Sequence, residues 1–347
     1  MTTHRTPLVD RMSKSVCNRA ERGASASKRR LRWARVPPTV KAMVEQLAGR
    51  RVVTAANCAG GFSPGLASRL TLADGSMIFV KAIDVGAWPD QAGMYRAESS
   101  VSAVLPAAVP APGLLASRDD GHWVVLVFEH IDGAVPDLRA RPAEAFRVAA
   151  ALEDLARTLT PSPIELPSDH QRLGGWADLA SDRNRLARLP ALSPWAATNL
   201  GTLITLEEAG LAAAQGRSLV HFDAYPHNIL LTGERVLFAD WPHARLGAPF
   251  VDLIMFASGA ATAGIDPEPI VTGHAPAAET ESHVIDEVLA AHAGFCVAGG
   301  LYPVEPPFAP IIAAKAELGI AATAWLQRRL AAAPPVAPGP PLGRRAR

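Results

Sequence analysis

The chain has 347 residues, 49% of them hydrophobic, which is enough for two ordinary domains or one two-lobed enzyme with a sizeable core. Its 34 basic and 33 acidic residues leave a formal net charge of +1, too small a global field to recruit nucleic acid or an anionic membrane. It has no run of 18 apolar residues, and no apolar segment follows the basic N-terminus, so neither a transmembrane helix nor a signal peptide is expected.

The first 36 residues carry ten Arg or Lys against Asp10 and Glu21 and few large apolar residues. Such a segment cannot offset the entropy of ordering, so residues 1–37 are expected to form a disordered basic tail. A nucleic-acid or lipid role is the alternative to a merely solvated tail. A small, strand-dominated lobe is expected over 38–130. It opens with a helix over 38–49 closed by Gly49. Strands over 66–72 and 76–82 flank Ala73-Asp74-Gly75, a strong hairpin signal. Within the second strand Ile78, Val80 and Ala82 share one face, and Met77, Phe79 and Lys81 the other. A helix over 94–105 and a buried strand over 122–128 follow.

From 131 to 330 helical periodicity dominates, with helices expected over 142–159, 176–189, 198–215, 280–298 and 311–330. One island interrupts them, with short apolar strands over 229–231 and 236–239. Residues 331–347, rich in Pro, Ala, Gly and Arg, are expected to form a second tail. Cys17, Cys58 and Cys296 are odd in number and far apart, which suits reduced thiols in a cytoplasmic protein.

The island carries the chemistry. His221-Phe222-Asp223-Ala224-Tyr225-Pro226-His227-Asn228 has the pattern H-x-D-x-x-x-x-N, and Ala239-Asp240-Trp241 follows the strand pair. Phosphoryl transfer needs a carboxylate to receive the proton of an attacking hydroxyl, and hard oxygen ligands to hold Mg2+ on nucleotide phosphates. Asp223 fits the base, Asn228 a metal ligand on the same loop, and Asp240 a second ligand returned by the hairpin. Upstream, Gly60, Gly61 and Ser63 lie in a glycine-rich stretch before the first hairpin strand, where backbone N–H groups can approach phosphate; an ordinary turn is the alternative. Only Lys81 and Lys315 remain of five lysines beyond residue 42, so a lysine in mid-strand carries weight. Lys81 requires an anionic partner if buried, and Glu98 on the following helix is suited to it.

Other chemistries are weaker. His221, His227 and His243 beside two aspartates offer transition-metal ligands, but at no recognised zinc spacing. Asp178 and Asp182 could attract a cation or, with Arg183 and Arg185 beside them, form a solvated face.

Over residues 40–330 the chain resembles the aminoglycoside phosphotransferase-like family of kinases. The resemblance rests on GGFSPG at 60–65, VKAID around Lys81, Glu98, LVFEHIDG at 126–133, HFDAYPHNILL at 221–231, FADW at 238–241 and GAPFVDL at 247–253. It implies an α+β, two-lobed protein-kinase-like fold, with a five-stranded antiparallel-sheet N-lobe, a helical C-lobe and an ATP cleft between them. It further implies adenine bonded to linker backbone near Glu129 and Ile131, Lys81 on the α/β-phosphates, Asp223 as base, and Asn228 and Asp240 on Mg2+. His221 would be structural, and Asp252 would brace the loop. The family's loop is closer to H-G-D-L-H-P-G-N, so Phe222, Ala224, Tyr225 and His227 are departures. The implied partner is a small-molecule alcohol, taken by a monomer or homodimer. Family acceptors include aminoglycosides, macrolides, choline, amino-acid alcohols and sugars. An aminoglycoside would call for an acidic site, and Asp266, Glu268, Glu279, Glu281, Asp286, Glu287 and Glu305 are candidates for it. A nucleotide-binding, pseudokinase-like scaffold without turnover is the rival reading.

Overall fold

A computed structural model describes residues 30–58, 63–168, 172–304 and 309–332. A 3-10 turn over Trp33–Arg35 leads into α1 (Pro38–Ala48), followed by β1 (Val52–Asn57), β2 (Leu66–Leu72), β3 (Met77–Asp84), α2 (Pro89–Ser102), β4 (Leu114–Asp119) and β5 (Trp123–Glu129). The five strands form one antiparallel sheet in the order β1-β2-β3-β5-β4. The β2–β3 turn is closed by Gly75 at φ 85°, a left-handed conformation that glycine adopts without Cβ conflict.

Alternation along β3 lets the sheet bury both faces. Ile78, Val80 and Ala82 pack with Val40 and Val44 of α1, while Ile83 packs with Ala92 and Tyr95 of α2 on the other side. Lys81 shares the α2 face. The helix expected from residue 94 begins earlier, because Pro89 occupies the first turn and Asp90 complements the helix N-terminus.

Residues 30–37, expected in the basic tail, instead pack onto this lobe. The apolar Leu31, Trp33 and Val36 interrupt the charge run, and Val36 is 2% exposed. The Leu31 amide donates to the Pro64 carbonyl at 2.9 Å, and the Trp33 amide to Asn57 Oδ1 at 2.9 Å. The expected disorder of the preceding residues lies outside the described residues.

The remainder is helical: α3 (Ala143–Thr158), α4 (Trp176–Ser181), α5 (Arg183–Leu186), α6 (Leu189–Leu192), α7 (Pro194–Thr198) and α8 (Leu200–Ala213). Four short strands follow, β6 (Ser218–Val220), β7 (Ile229–Leu231), β8 (Val236–Phe238) and β9 (Arg245–Gly247). Then come α9 (Val251–Thr262), α10 (Glu268–Thr272), α11 (Ala275–Ala278), α12 (Ser282–Gly300) and α13 (Ala309–Ala332). The single helix expected over 176–189 is broken at Asp182, whose carboxylate caps α5 by accepting from the Asn184 and Arg185 amides. A short acidic side chain satisfies orphan amides better than it fills a helix interior. The α13 helix is long and apolar enough to cross a membrane by length and composition. It packs instead against α9 and α12, with Trp325 and Leu326 fully buried. It runs to Ala332, and the rest of the expected tail lies outside the described residues.

Two backbone links fix the cleft. Ala134, just past the 130–133 linker, exchanges hydrogen bonds with Leu231 of β7 at 3.0 and 2.8 Å. The Phe238 amide of β8 donates to the Pro110 carbonyl at 2.8 Å. The β7–β8 hairpin is thereby tied to the segments that enter and leave the sheet.

Candidate active site

The loop from His221 to Asn228 is held from beneath by α9. Asp252 Oδ2 accepts from the His221 amide at 2.8 Å and Oδ1 from the Phe222 amide at 2.9 Å. Burial pushes the Asp252 carboxyl above its ordinary value, opposed by His221 and the two amide bonds. This double acceptance stabilises an unusual backbone. Phe222 has φ 61°, where the resembling loops carry glycine, and its ring is 1% exposed. A bulky residue there costs about 1–3 kcal/mol, to be offset by its surroundings.

Asp223 projects next to Asn228, whose Nδ2 donates to the Asp223 carbonyl at 3.0 Å and to Oδ2 at 2.9 Å. Asp223 Oδ1 accepts from Arg172 Nη2 at 2.6 Å. Arg172 Nη1 lies 2.9 Å from His243 Nε2. Burial, reinforced by Arg172, pushes the His243 imidazole down to about 4. A neutral ring is therefore available to accept the guanidinium's hydrogen bond.

The hairpin brings Asp240 alongside. The Ala239 amide donates to the Asn228 carbonyl at 2.8 Å, and His221 Nε2 lies 3.0 Å from the Ala239 carbonyl. Asp240 itself has φ 71°, tolerated by a short polar residue. From the sheet, Lys81 Nζ reaches Glu98 Oε1 and Oε2 at 2.7 and 2.8 Å and Asp240 Oδ1 at 3.0 Å. Burial disfavours the ammonium, but the Asp240 and Glu98 carboxylates outweigh it and hold the Lys81 pKa above its ordinary value. Burial pushes the Glu98 carboxyl up against the pull of Lys81. Asp240 experiences the same burial, yet Lys81 holds its carboxyl below the usual range. Protein groups crowd Asp240, but 43% of its side chain stays open to the cleft.

This donor set suits magnesium. Mg2+ is held by one or two carboxylate-type oxygens, with phosphate and water supplying the rest. Asn228 turns its Nδ2 toward Asp223, which leaves Oδ1 as an acceptor, and Asp240 is open beside it. No group of three His, Cys, Asp or Glu that could enclose a metal exists among the described residues.

The phosphotransferase enzyme family model matches residues 61–278, more than half of the chain. The chain belongs to that family. A solved choline/ethanolamine kinase family protein from Mesorhizobium loti is similar at 17% identity, with 84% of this chain and 97% of that one covered and a TM-score of 0.52. A choline kinase from Cryptosporidium parvum matches at 11% identity, 90% and 94% coverage and a TM-score of 0.47. A macrolide 2'-phosphotransferase type I matches at 15% identity, 80% and 97% coverage and a TM-score of 0.48. No curated protein sequence matches the chain significantly.

In this phosphotransferase the fold brings Lys81, Glu98, Asp223, Asn228 and Asp240 to one cleft. Gly60 and Gly61 lie outside the described residues. Ser63 lies just before β2 with its Oγ 2.9 Å from the Tyr95 hydroxyl and accepting from the Gly65 amide at 3.2 Å. Its hydroxyl is thus engaged within the protein. At the linker the Glu129 amide already donates to the Gly113 carbonyl, and the Glu129 carboxylate accepts from the Gly113 amide, both at 2.9 Å. A nucleotide contact at Glu129 would therefore fall to its carbonyl oxygen, with Ile131 two residues on in the linker. Asp178 and Asp182 do not reach the site: Asp182 is paired with Arg185 at 2.7 Å, and Asp178 is exposed. Arg172 went unnoticed in the sequence. With 29 arginines among 34 basic residues, one more arginine gives no signal.

Proposed function

We propose that this phosphotransferase is an ATP-dependent kinase of small-molecule alcohols, with Asp223 as the base and Asn228 and Asp240 as the magnesium ligands. The carrying observation is the 3.0 Å contact of Lys81 with Asp240, which brings a sheet cation and a hairpin carboxylate to one point beside Asp223. Magnesium, when bound, would neutralise charge on the nucleotide phosphates. Lys81, held by Glu98, is available to the same phosphates, and the carbonyl of Glu129 and the amide of Ile131 to the adenine. Asp223 would orient the acceptor hydroxyl and receive its proton. The acceptor oxygen would form a bond to the γ-phosphorus as the bond to the β–γ bridging oxygen breaks, and ADP leaves. In-line positioning and preorganised charge supply most of the rate in such a transfer. The Mesorhizobium loti protein, of the choline/ethanolamine kinase family, supports a small alcohol as acceptor class. A cytoplasmic setting, rich in ATP and permissive for free thiols such as buried Cys296, belongs to the same reading.

The test is ADP release from purified protein with Mg·ATP and a panel of alcohols. The expected result is acceptor-dependent turnover that Asp223→Asn reduces by about 10²–10⁴-fold while AMP-PNP binding persists. Nucleotide binding without any ADP release, even slow hydrolysis, would instead favour a scaffold.

A further inference from the structure

Beside the Asp223 carboxylate the helical lobe gathers positive charge. Arg172 is bound to Asp223 Oδ1 at 2.6 Å, and its buried Nε has no hydrogen-bond partner among the described residues. Its guanidinium carbon lies 5.2 Å from the centre of the Phe295 ring, and Lys315 Nζ lies 4.1 Å from that same centre. Lys315 reaches this position because Gly299 leaves room on α12: a Cβ at that residue would collide with the lysine stem. Among the described residues Lys315 has no carboxylate in ion-pair contact; the ring face is its recorded partner. Burial, with Arg172 nearby, lowers its pKa, as expected of an ammonium whose charge is not locally matched.

Part of the negative charge that a polycationic acceptor would need is engaged elsewhere. Arg329 binds both Glu268, at 2.9 Å, and Asp286. Asp266 faces Arg328 at 3.8 Å, and buried Glu207 accepts from the Trp176 amide at 2.7 Å. Three of the seven acids expected to recognise aminoglycosides, Asp266, Glu268 and Asp286, are thus paired with arginines, whereas the base has cations beside it.

We infer that the acceptor of this kinase carries an anionic group, a carboxylate or a phosphate monoester, which seats between Arg172 and Lys315 while its hydroxyl faces Asp223. The inference rests on the kinase reading above and names its substrate class. Arg172 offers an unused N–H, and guanidinium binds both anions through paired hydrogen bonds. Lys315 supplies a point charge on a flexible stem. An anion at Arg172 also competes with Asp223 for the guanidinium, freeing Oδ1 for the acceptor hydroxyl. Binding and readiness of the base are thereby linked.

The test is calorimetric titration of the full chain saturated with Mg·AMP-PNP, using glycerate, glycerol 3-phosphate, glycerol and kanamycin. The two anions are expected to bind at least about tenfold more tightly than glycerol, the range of a charge-assisted hydrogen bond. Lys315→Met should remove that advantage and Lys315→Arg retain it, which separates lost charge from lost folding. The better of the two anions identifies carboxylate or phosphate. Equal binding of glycerol and both anions, tighter binding of kanamycin, or an advantage that survives Lys315→Met would overturn the inference. The kinase reading is judged separately, by the AMP-PNP titration and ADP release.

Discussion

Lys81 and Asp240 are 159 residues apart in the chain and 3.0 Å apart in space. The lysine stands on β3, flanked by β2 and β5, and the aspartate follows the β7–β8 hairpin of the helical lobe. In the proposed reaction, these two oppositely charged groups on different lobes would mark where the polyphosphate and its counter-ion meet.

Removing the lysine tests the cluster's energetics. Glu98 is 3% exposed, so Lys81→Met strands a buried carboxylate and is expected to destabilise the protein by about 3–5 kcal/mol. Adding Glu98→Gln should recover a large part of that loss, since the stranded charge goes with it. Urea unfolding of both single variants and the double checks this. Strict additivity of the two losses would mean that the pair is not coupled.

The brace under the loop from His221 to Asn228 is open to the same treatment. Asp252→Ala leaves two buried amides, those of His221 and Phe222, without their acceptor. Each costs about 1–3 kcal/mol. Phe222 should then leave its left-handed conformation, so turnover should fall along with stability. Melting temperature and ADP release report the two effects, and unchanged values of both would exclude the brace.

Gly65 tests the approach of the glycine-rich stretch to the sheet. A Cβ there would lie 2.5 Å from the Tyr95 hydroxyl and 2.6 Å from the Ala82 carbonyl oxygen. The second contact is backbone in β3, one residue from Lys81, and cannot swing aside. Gly65→Ala is expected to cost about 1–3 kcal/mol as an overpacking change and to weaken AMP-PNP binding. Wild-type behaviour in both calorimetry and thermal unfolding would contradict the geometry.

Acid should unfold the C-lobe partly through His292. This ring is fully buried on α12, and burial, with Arg172 near, pushes its pKa from 6.5 down to about 3. Below pH 6.5 the unfolded chain takes up a proton that the folded chain refuses. Stability is therefore present above that pH and is lost as pH falls toward 3, by at most about 1.4 kcal/mol per unit. His292→Leu should flatten the slope of unfolding free energy between pH 6 and about 4, even if its absolute stability differs. An unchanged slope would show that His292 takes no part.

Legibility in the sequence followed local periodicity. The Asp74-Gly75 turn, the two-residue alternation of β3 and the H-x-D-x-x-x-x-N loop are all set by near neighbours, and each is found where expected. The edge strands β1 and β4, mostly exposed, show no comparable alternation and were not marked individually. The helix over 176–189 failed at Asp182 because a capping bond competes with helix continuation, and periodicity does not register that competition. Leu31, Trp33 and Val36 were too sparse to mark residues 30–37 as folded, yet they find a complementary surface on α1 and β2.

By itself the sequence marked the residues proposed to do the chemistry and most of the segments that coil or pleat. It also marked Lys81, because lysine is scarce in this chain. Only the tertiary structure decided which charges meet: Arg172 on Asp223, Arg329 on Glu268 and Asp286, Lys315 over Phe295. The physical reason is range. Periodicity and capping act over a few residues, whereas these charge contacts are set by how whole helices and strands pack.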